Sequence, residues 1–171
     1  MSGSGTSDAA SPLAAYLAAE APDAELVAPG EEMPTVERAA AALGVPAGRI
    51  VKTIAFQHKR DASQVCLAVV PGDVRVDRGK VAAALGRSQL KLASAAATLE
   101  ATGYAVGGVP PVGHRRPLPV VVDPAVLEFD EVFGGGGDED HMVRLAPRRI
   151  VELTSATVAD VSADQQPGGE R

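Results

Sequence analysis

Apolar and polar positions along the chain follow two periods, and the switches between them outline its elements. In "RIVKTIAF" the strand period of two puts Ile50, Lys52, Ile54 and Phe56 on one face and Val51, Thr53 and Ala55 on the other. "QVCLAVV" is a second strand, and the polar "QHKRDAS" between the two predicts a hairpin. "AELVAP", "PLPVVVD", "EVFGGGG" and "HMVRLA" predict shorter strands, and "TVADVS" a closing one. Helices announce themselves by their ends. Ser11-Pro12 opens one running to about Glu20, and Pro34-Thr35 starts "TVERAAAALG", closed by Gly44. Asp77 caps a helix ended by Gly86, Ser94 caps one ended by Gly103, and Pro147 starts "PRRIVELT". "DPAVLEF" reads as a helical turn. Strands arrive both as hairpins and across helices. The predicted fold is therefore mixed α/β: a curved, barrel-like mixed sheet flanked by helices.

Composition narrows this picture. The 171 residues predict one domain over 11–162, between a Ser/Gly/Ala-rich tail at 1–10 and a frayed one at 163–171. Aromatics are only 3% and Trp is absent, so the core is aliphatic. The lone cysteine, Cys66, excludes an internal disulfide and lies in a strand, where it reads as a small buried hydrophobe. No apolar run is long enough to span a bilayer, and "MSGSGTSDAASP" lacks the basic and apolar regions of a signal peptide. The expectation is a cytoplasmic protein with no membrane partner. A net charge of −6 argues against a protein that coats nucleic acid with its whole surface, and DNA is not an expected partner. It leaves room for local basic patches, over Arg75, Arg78, Lys80, Arg87 and Lys91 and at Arg115-Arg116.

Candidate chemistry is confined to a few places. Lys52 stands in a mostly apolar row. Either its ammonium reaches an opening or a partner, or the strand is an edge and the head lies in water. "GYAVGGVPPVGH" combines glycines, which permit close backbone approach, with two prolines that stiffen the loop. The N–H groups of Gly107, Gly108 and Val109 are placed to converge on an oxygen, in the manner of an oxyanion pocket, and a plain structural turn fits the same composition. Its spacing matches neither a dinucleotide fingerprint nor a P-loop. The second glycine run, Gly134 to Gly137, precedes Asp138, Glu139, Asp140 and His141, but consecutive acids diverge, so no metal and no other cofactor is expected. There is no nucleophile elbow. His58 is expected to be solvent-exposed in its turn. A hydrolase built from these parts would activate water.

Taken in order, "GRIVKTIAF", "LAVVPGDVRVDRGKVAAALG", "ATGYAVGGVPPVGH", "LPVVVDPAVLEFDEVF" and "LAPRRIVELTSATVADVS" resemble the YbaK/prolyl-tRNA synthetase editing-domain superfamily over roughly residues 24–162. The resemblance implies hydrolysis of the ester between a wrongly attached amino acid and its tRNA, acting in trans on the acceptor end. It places the family's functional lysine on Lys52 and its G-x-x-x-P loop on Gly107, Gly108, Val109, Pro110 and Pro111, whose N–H groups would hold the aminoacyl carbonyl. It implies substrate contact at Thr53, Gly135, Gly136 and Met142. Members acting on cysteinyl-tRNA carry a serine and an aspartate where Gly135 and Met142 stand. Alanine-specific members carry a functional histidine whose nearest counterpart is His141, and an asparagine in place of Thr53. A non-catalytic module of the same fold, binding aminoacyl-tRNA or a tRNA synthetase, is the alternative, and a hydrolase of small aminoacyl esters a third.

Overall fold

In the computed structural model the described residues are 11–28 and 35–163. The expectations for residues 1–10 and for nearly all of 163–171 lie outside them. Ala163, the last described residue, donates its N–H to the Arg75 carbonyl at 2.7 Å.

The helices begin where the polar caps predict. Helix α1 (Pro12–Glu20) is capped by Ser11, α2 (Val36–Leu43) by Thr35, α3 (Arg78–Leu85) by Asp77 and α4 (Ala95–Thr102) by Ser94. Each of these side chains accepts an N–H three residues on, at 3.0–3.1 Å. Such a cap is worth about 1 kcal/mol. Helix α5 (Pro147–Thr154) has no side-chain cap and relies on proline in its first turn.

The strands are β1 (Glu25–Val27), β2 (Val51–His58), β3 (Asp61–Pro71), β4 (Leu90–Leu92), β5 (Val120–Val122), β6 (Val132–Gly135), β7 (Met142–Leu145) and β8 (Thr157–Val158). Two sheets form, ordered β4-β2-β3-β5-β8 and β1-β7-β6. The hairpin β2–β3 is antiparallel, with Lys52 opposite Val70, while β5 runs parallel to β3 and β8 parallel to β5. The expected barrel is a correction: neither sheet closes. The only ladder contact between them, among the described residues, is the Ile50–Phe133 bridge. Edge strands of two to four residues carry too few backbone hydrogen bonds to wrap either sheet round. β4 was not legible in the sequence at all, because three residues show hardly one alternation.

β3 explains the long apolar run. Val65, Leu67 and Val69 enter the core shared with α1, α4 and α5, whereas Cys66, Ala68 and Val70 pack against Val81 of α3. Both faces are covered, so alternation of polarity disappears. Burial pushes the Cys66 thiol up to about 11, against the opposing pull of Arg87. Val161 and Ser162 are fastened by Asp123, which is 3% exposed. Its carboxylate accepts N–H groups of Ala125 (2.9 Å) and Val161 (3.0 Å) and the Ser162 hydroxyl (2.8 Å). No helix among the described residues is long and apolar enough to cross a membrane.

Candidate active site

The start of β2, directly after a 3-10 turn at Ala47–Arg49, forms one wall of a cleft of about 220 Å³. Ile50 to Thr53 supply that wall, and α2 adds Thr35, Val36 and Ala39. Gly107 and Val109 come from the first glycine loop, Gly135 and Met142 from the second. Lys52 is the only charged residue among the described residues of this lining. It is half-buried and makes no ion pair or hydrogen bond among the described residues. Its row does not form one continuous surface: Ile54 and Phe56 pack with α3, but Ile50 packs with α2, so the lysine stands where one core gives way to another. Beside it, the Thr53 hydroxyl oxygen is buried without a hydrogen-bond partner among the described residues.

The first loop leaves α4 at Gly103 and is held from inside. The Gly108 N–H donates to the Ala105 carbonyl at 3.0 Å, so that donor, expected to be spare, closes a turn instead. The N–H groups of Gly107 and Val109 have no partner among the described residues. His114, to which the sequence gave no role, lies with its Nε2 2.7 Å from the Pro110 carbonyl oxygen. Burial holds this imidazole below its ordinary value, and the Pro110 hydrogen bond partly opposes that.

The second loop lies directly on the first. The Gly137 N–H donates to the Gly108 carbonyl at 2.9 Å. A β-carbon on Gly135 would stand 2.4 Å from the Val109 carbonyl oxygen, and one on Gly108 would stand 2.9 Å from the Asp138 nitrogen. The site where the resemblance sets a serine in cysteinyl-specific members is therefore closed to any side chain on this backbone. Gly136 does not line the cleft; it packs against the His141 carbonyl, 2.4 Å from where its β-carbon would be. Gly108, Pro110, Pro111 and His141 are likewise outside the lining. The His141 Nδ1 is 2.9 Å from Asp138 Oδ1. Burial raises the Asp138 carboxyl, but the His141 ring and the N–H groups of Asp140 and His141 outweigh it and hold the group below its usual value.

Thus the structure brings together Lys52, Thr53, Gly107, Val109, Gly135 and Met142. The contribution of α2 had no signal in the sequence, since Val36 and Ala39 read only as an apolar helix face. His58 is half-buried rather than exposed: its Nδ1 accepts the Arg60 N–H at 3.0 Å, which orders the hairpin turn. Among the described residues no three His, Cys, Asp or Glu side chains gather as a metal site. Among its described lining residues the cleft offers an ammonium, the Thr53 hydroxyl and the two residues with unused N–H groups, Gly107 and Val109, and no carboxylate. That suits a ligand presenting polarised or anionic oxygen.

Known proteins place this arrangement. The model of the "Aminoacyl-tRNA editing domain" family matches residues 30–153. The uncharacterised protein YwhH of Bacillus subtilis is 34% identical over 131 residues, covering 76% of this chain and 82% of that one. A candidate Cys-tRNA(Pro)/Cys-tRNA(Cys) deacylase of Enterococcus faecalis, EbsC, is 27% identical over 135 residues, 79% of this chain and 81% of that one. The proline–tRNA ligase of Pelotomaculum thermopropionicum matches at 34% over 74% of this chain, but that stretch is only 21% of the ligase. A solved structure of a candidate trans-editing enzyme for prolyl-tRNA synthetase superposes with a TM-score of 0.81 at 33% identity, over 90% of this chain and 96% of that one. With more than half its length matched and its fold shared, the chain belongs to the aminoacyl-tRNA editing domain family.

Proposed function

We propose that this protein hydrolyses, in trans, the ester joining a wrongly attached amino acid to a tRNA. The observation that carries this reading is the make-up of the cleft: among its described lining residues Lys52 is the one charged group and none is a carboxylate, and the N–H groups of Gly107 and Val109 have no partner among the described residues. Water attacks the carbonyl carbon, the carbonyl oxygen gains charge, and the ribose hydroxyl leaves with a proton. The two N–H groups would take the developing oxyanion; loss of one such donor costs about 100- to 1,000-fold in rate. Pro110 and Pro111 stiffen the loop so that these donors need not reorganise. Lys52 would hold the terminal ribose-phosphate or position water, and Thr53 would contact the substrate. Met142 would bound the amino-acid side chain, while Gly135 lets the Val109 carbonyl approach and Gly136 keeps the second loop tight. His141, held by Asp138 one residue before Met142, would orient water or the substrate amine from the rim.

The test is a panel of mischarged tRNAs. Release of amino acid from at least one is expected, and Lys52→Ala should lower kcat/KM about 10- to 150-fold, the loss of a charged hydrogen bond. Full activity in Lys52→Ala, or no hydrolysis of any member, would overturn the reading. Tight tRNA or synthetase binding without turnover would favour a non-catalytic module instead.

A further inference from the structure

The sequence run Arg75 to Lys91 does not form one patch. α3 carries its first part away, and Lys80 is used by Asp160 (3.3 Å) and the Ser162 carbonyl (2.8 Å). Its second part meets cations from elsewhere at the hairpin end of the larger sheet. The Lys59 N–H donates to the Gln89 carbonyl at 2.8 Å, which sets the β2–β3 turn, Lys59-Arg60, beside β4. Lys91 on β4 pairs with Gln57, and Arg87 lines a small recess with His58 and Leu90. Arg116 reaches over to donate to the Ser63 carbonyl at 3.0 Å.

Lys59, Arg60, Arg87 and Lys91 are exposed, and none has an ion pair among the described residues. This contrasts with Arg49, Arg115, Arg144 and Arg149, each of which faces a carboxylate. The one acid on the turn, Asp61, is engaged by Ser63 at 2.6 Å and Gln64 at 3.0 Å. In a chain of net charge −6, five cations around this end of the sheet, Lys91 on the Gln57 face and Arg87 by the His58 recess, outnumber its one occupied acid and give a local positive field.

We infer that this hairpin end is a phosphate-backbone docking surface that holds the tRNA while its aminoacylated end occupies the cleft. The inference rests on the deacylase reading, and geometry supplies the link. β2 carries Lys52 at its cleft end and runs to the turn, about 20 Å away at ~3.3 Å per residue. A strand leaving the cleft covers that distance in about six stacked nucleotides at ~3.4 Å each. The patch then meets phosphates beyond the unpaired end, where it adds affinity without touching the ester.

The experiment titrates labelled uncharged tRNA with salt, using wild type, Lys59→Gln/Arg60→Gln, the fourfold variant adding Arg87→Gln and Lys91→Gln, and Arg148→Gln as an exposed control on α5. The double variant changes only the turn and guards against misfolding of the fourfold one; thermal melts check both. The fourfold change should weaken binding at least tenfold and flatten the log K against log salt slope by about 3, the double by about half that, at ~0.7–0.9 per phosphate contact. On mischarged tRNA its KM should rise with kcat unchanged, and hydrolysis of a short aminoacyl ester should stay at the wild-type level. Unchanged affinity and slope in the folded variants, or equal losses in Arg148→Gln, would overturn the patch. So would loss of synthetase binding with tRNA binding intact. Patch-dependent tRNA binding by a wild type that hydrolyses no aminoacyl-tRNA would uphold the surface and sink the deacylase reading; turnover indifferent to the patch would do the reverse.

Discussion

Replacing Gly135 by alanine is the sharpest test of how the two glycine loops make the cleft. The added β-carbon would stand 2.4 Å from the Val109 carbonyl oxygen, 3.0 Å from the Val109 carbonyl carbon and 3.2 Å from the Gly108 carbonyl carbon. All three are main-chain atoms, so no rotamer change relieves the clash. Restoring an ordinary contact of 3.4 Å requires a relative shift of 3.4 − 2.4, about 1.0 Å, between the loops. Overpacking of this kind costs about 1–3 kcal/mol. For a domain of this size that lowers Tm by roughly 3–10 °C. The loop that must yield carries the Gly107 and Val109 donors, and a 1 Å misplacement costs on the order of 100-fold in rate. Gly107→Ala is the control. A β-carbon there meets nothing within 4 Å, though φ is +98°. Its cost is backbone strain of about 1–3 kcal/mol without displacement of the second loop. A melting curve and kcat/KM on the best mischarged tRNA decide the matter. If Gly135→Ala keeps both its Tm and its kcat/KM, the loops are not in contact as described and the cleft is built otherwise.

Three further outcomes follow from single interactions. Thr53→Val removes a buried hydroxyl that has no protein partner, so Tm should rise by the equivalent of about 1–2 kcal/mol while deacylation falls; a lower Tm would show that the hydroxyl is needed by the fold. Asp123→Ala orphans one buried and one part-buried N–H group and a hydroxyl and should cost about 3 kcal/mol in urea unfolding, whereas a loss under 1 kcal/mol would mean Val161 and Ser162 are held by other contacts. His114 titrates below its ordinary value in the folded state, so the unfolded chain takes up a proton first as pH falls; its stability contribution is full above about pH 6.5 and drops below it, by at most ~1.4 kcal/mol per pH unit. Urea midpoints of wild type and His114→Gln between pH 5.5 and 7.5 should therefore converge toward acid; parallel curves would remove His114 as the source.

What the sequence made legible was local. Ser11, Thr35, Asp77 and Ser94 cap helices through hydrogen bonds spanning three residues, so the signal for each helix start lies within its own neighbourhood. The β2–β3 hairpin was legible for the same reason. β4 was not, because Leu90 to Leu92 becomes a strand only by pairing with Phe56 to His58, more than thirty residues earlier. The openness of the sheets was hidden too, since closure depends on how strand edges meet and not on any strand's own pattern. Within the site, Lys52 and the loop from Gly107 stood out by residue type. Val36 and Ala39 did not, as their role in the cleft comes from where α2 lies.

The glycines show why composition alone misreads such a site. Gly107, Gly108 and Gly135 look alike in sequence, yet they are glycine for two different reasons. Gly107 adopts φ +98° in open space, whereas Gly108 and Gly135 make room for main-chain atoms of the facing loop, and Gly108 also gives its N–H to the Ala105 carbonyl. Of the three N–H groups that the sequence offered as oxyanion donors, the fold spends the middle one on its own turn. That expenditure fixes the loop, and a fixed loop is what lets the remaining two donors act without reorganising. Rigidity and donor capacity therefore draw on the same few N–H groups, and the second glycine run, through the Gly137 N–H on the Gly108 carbonyl, adds a further hold on the loop.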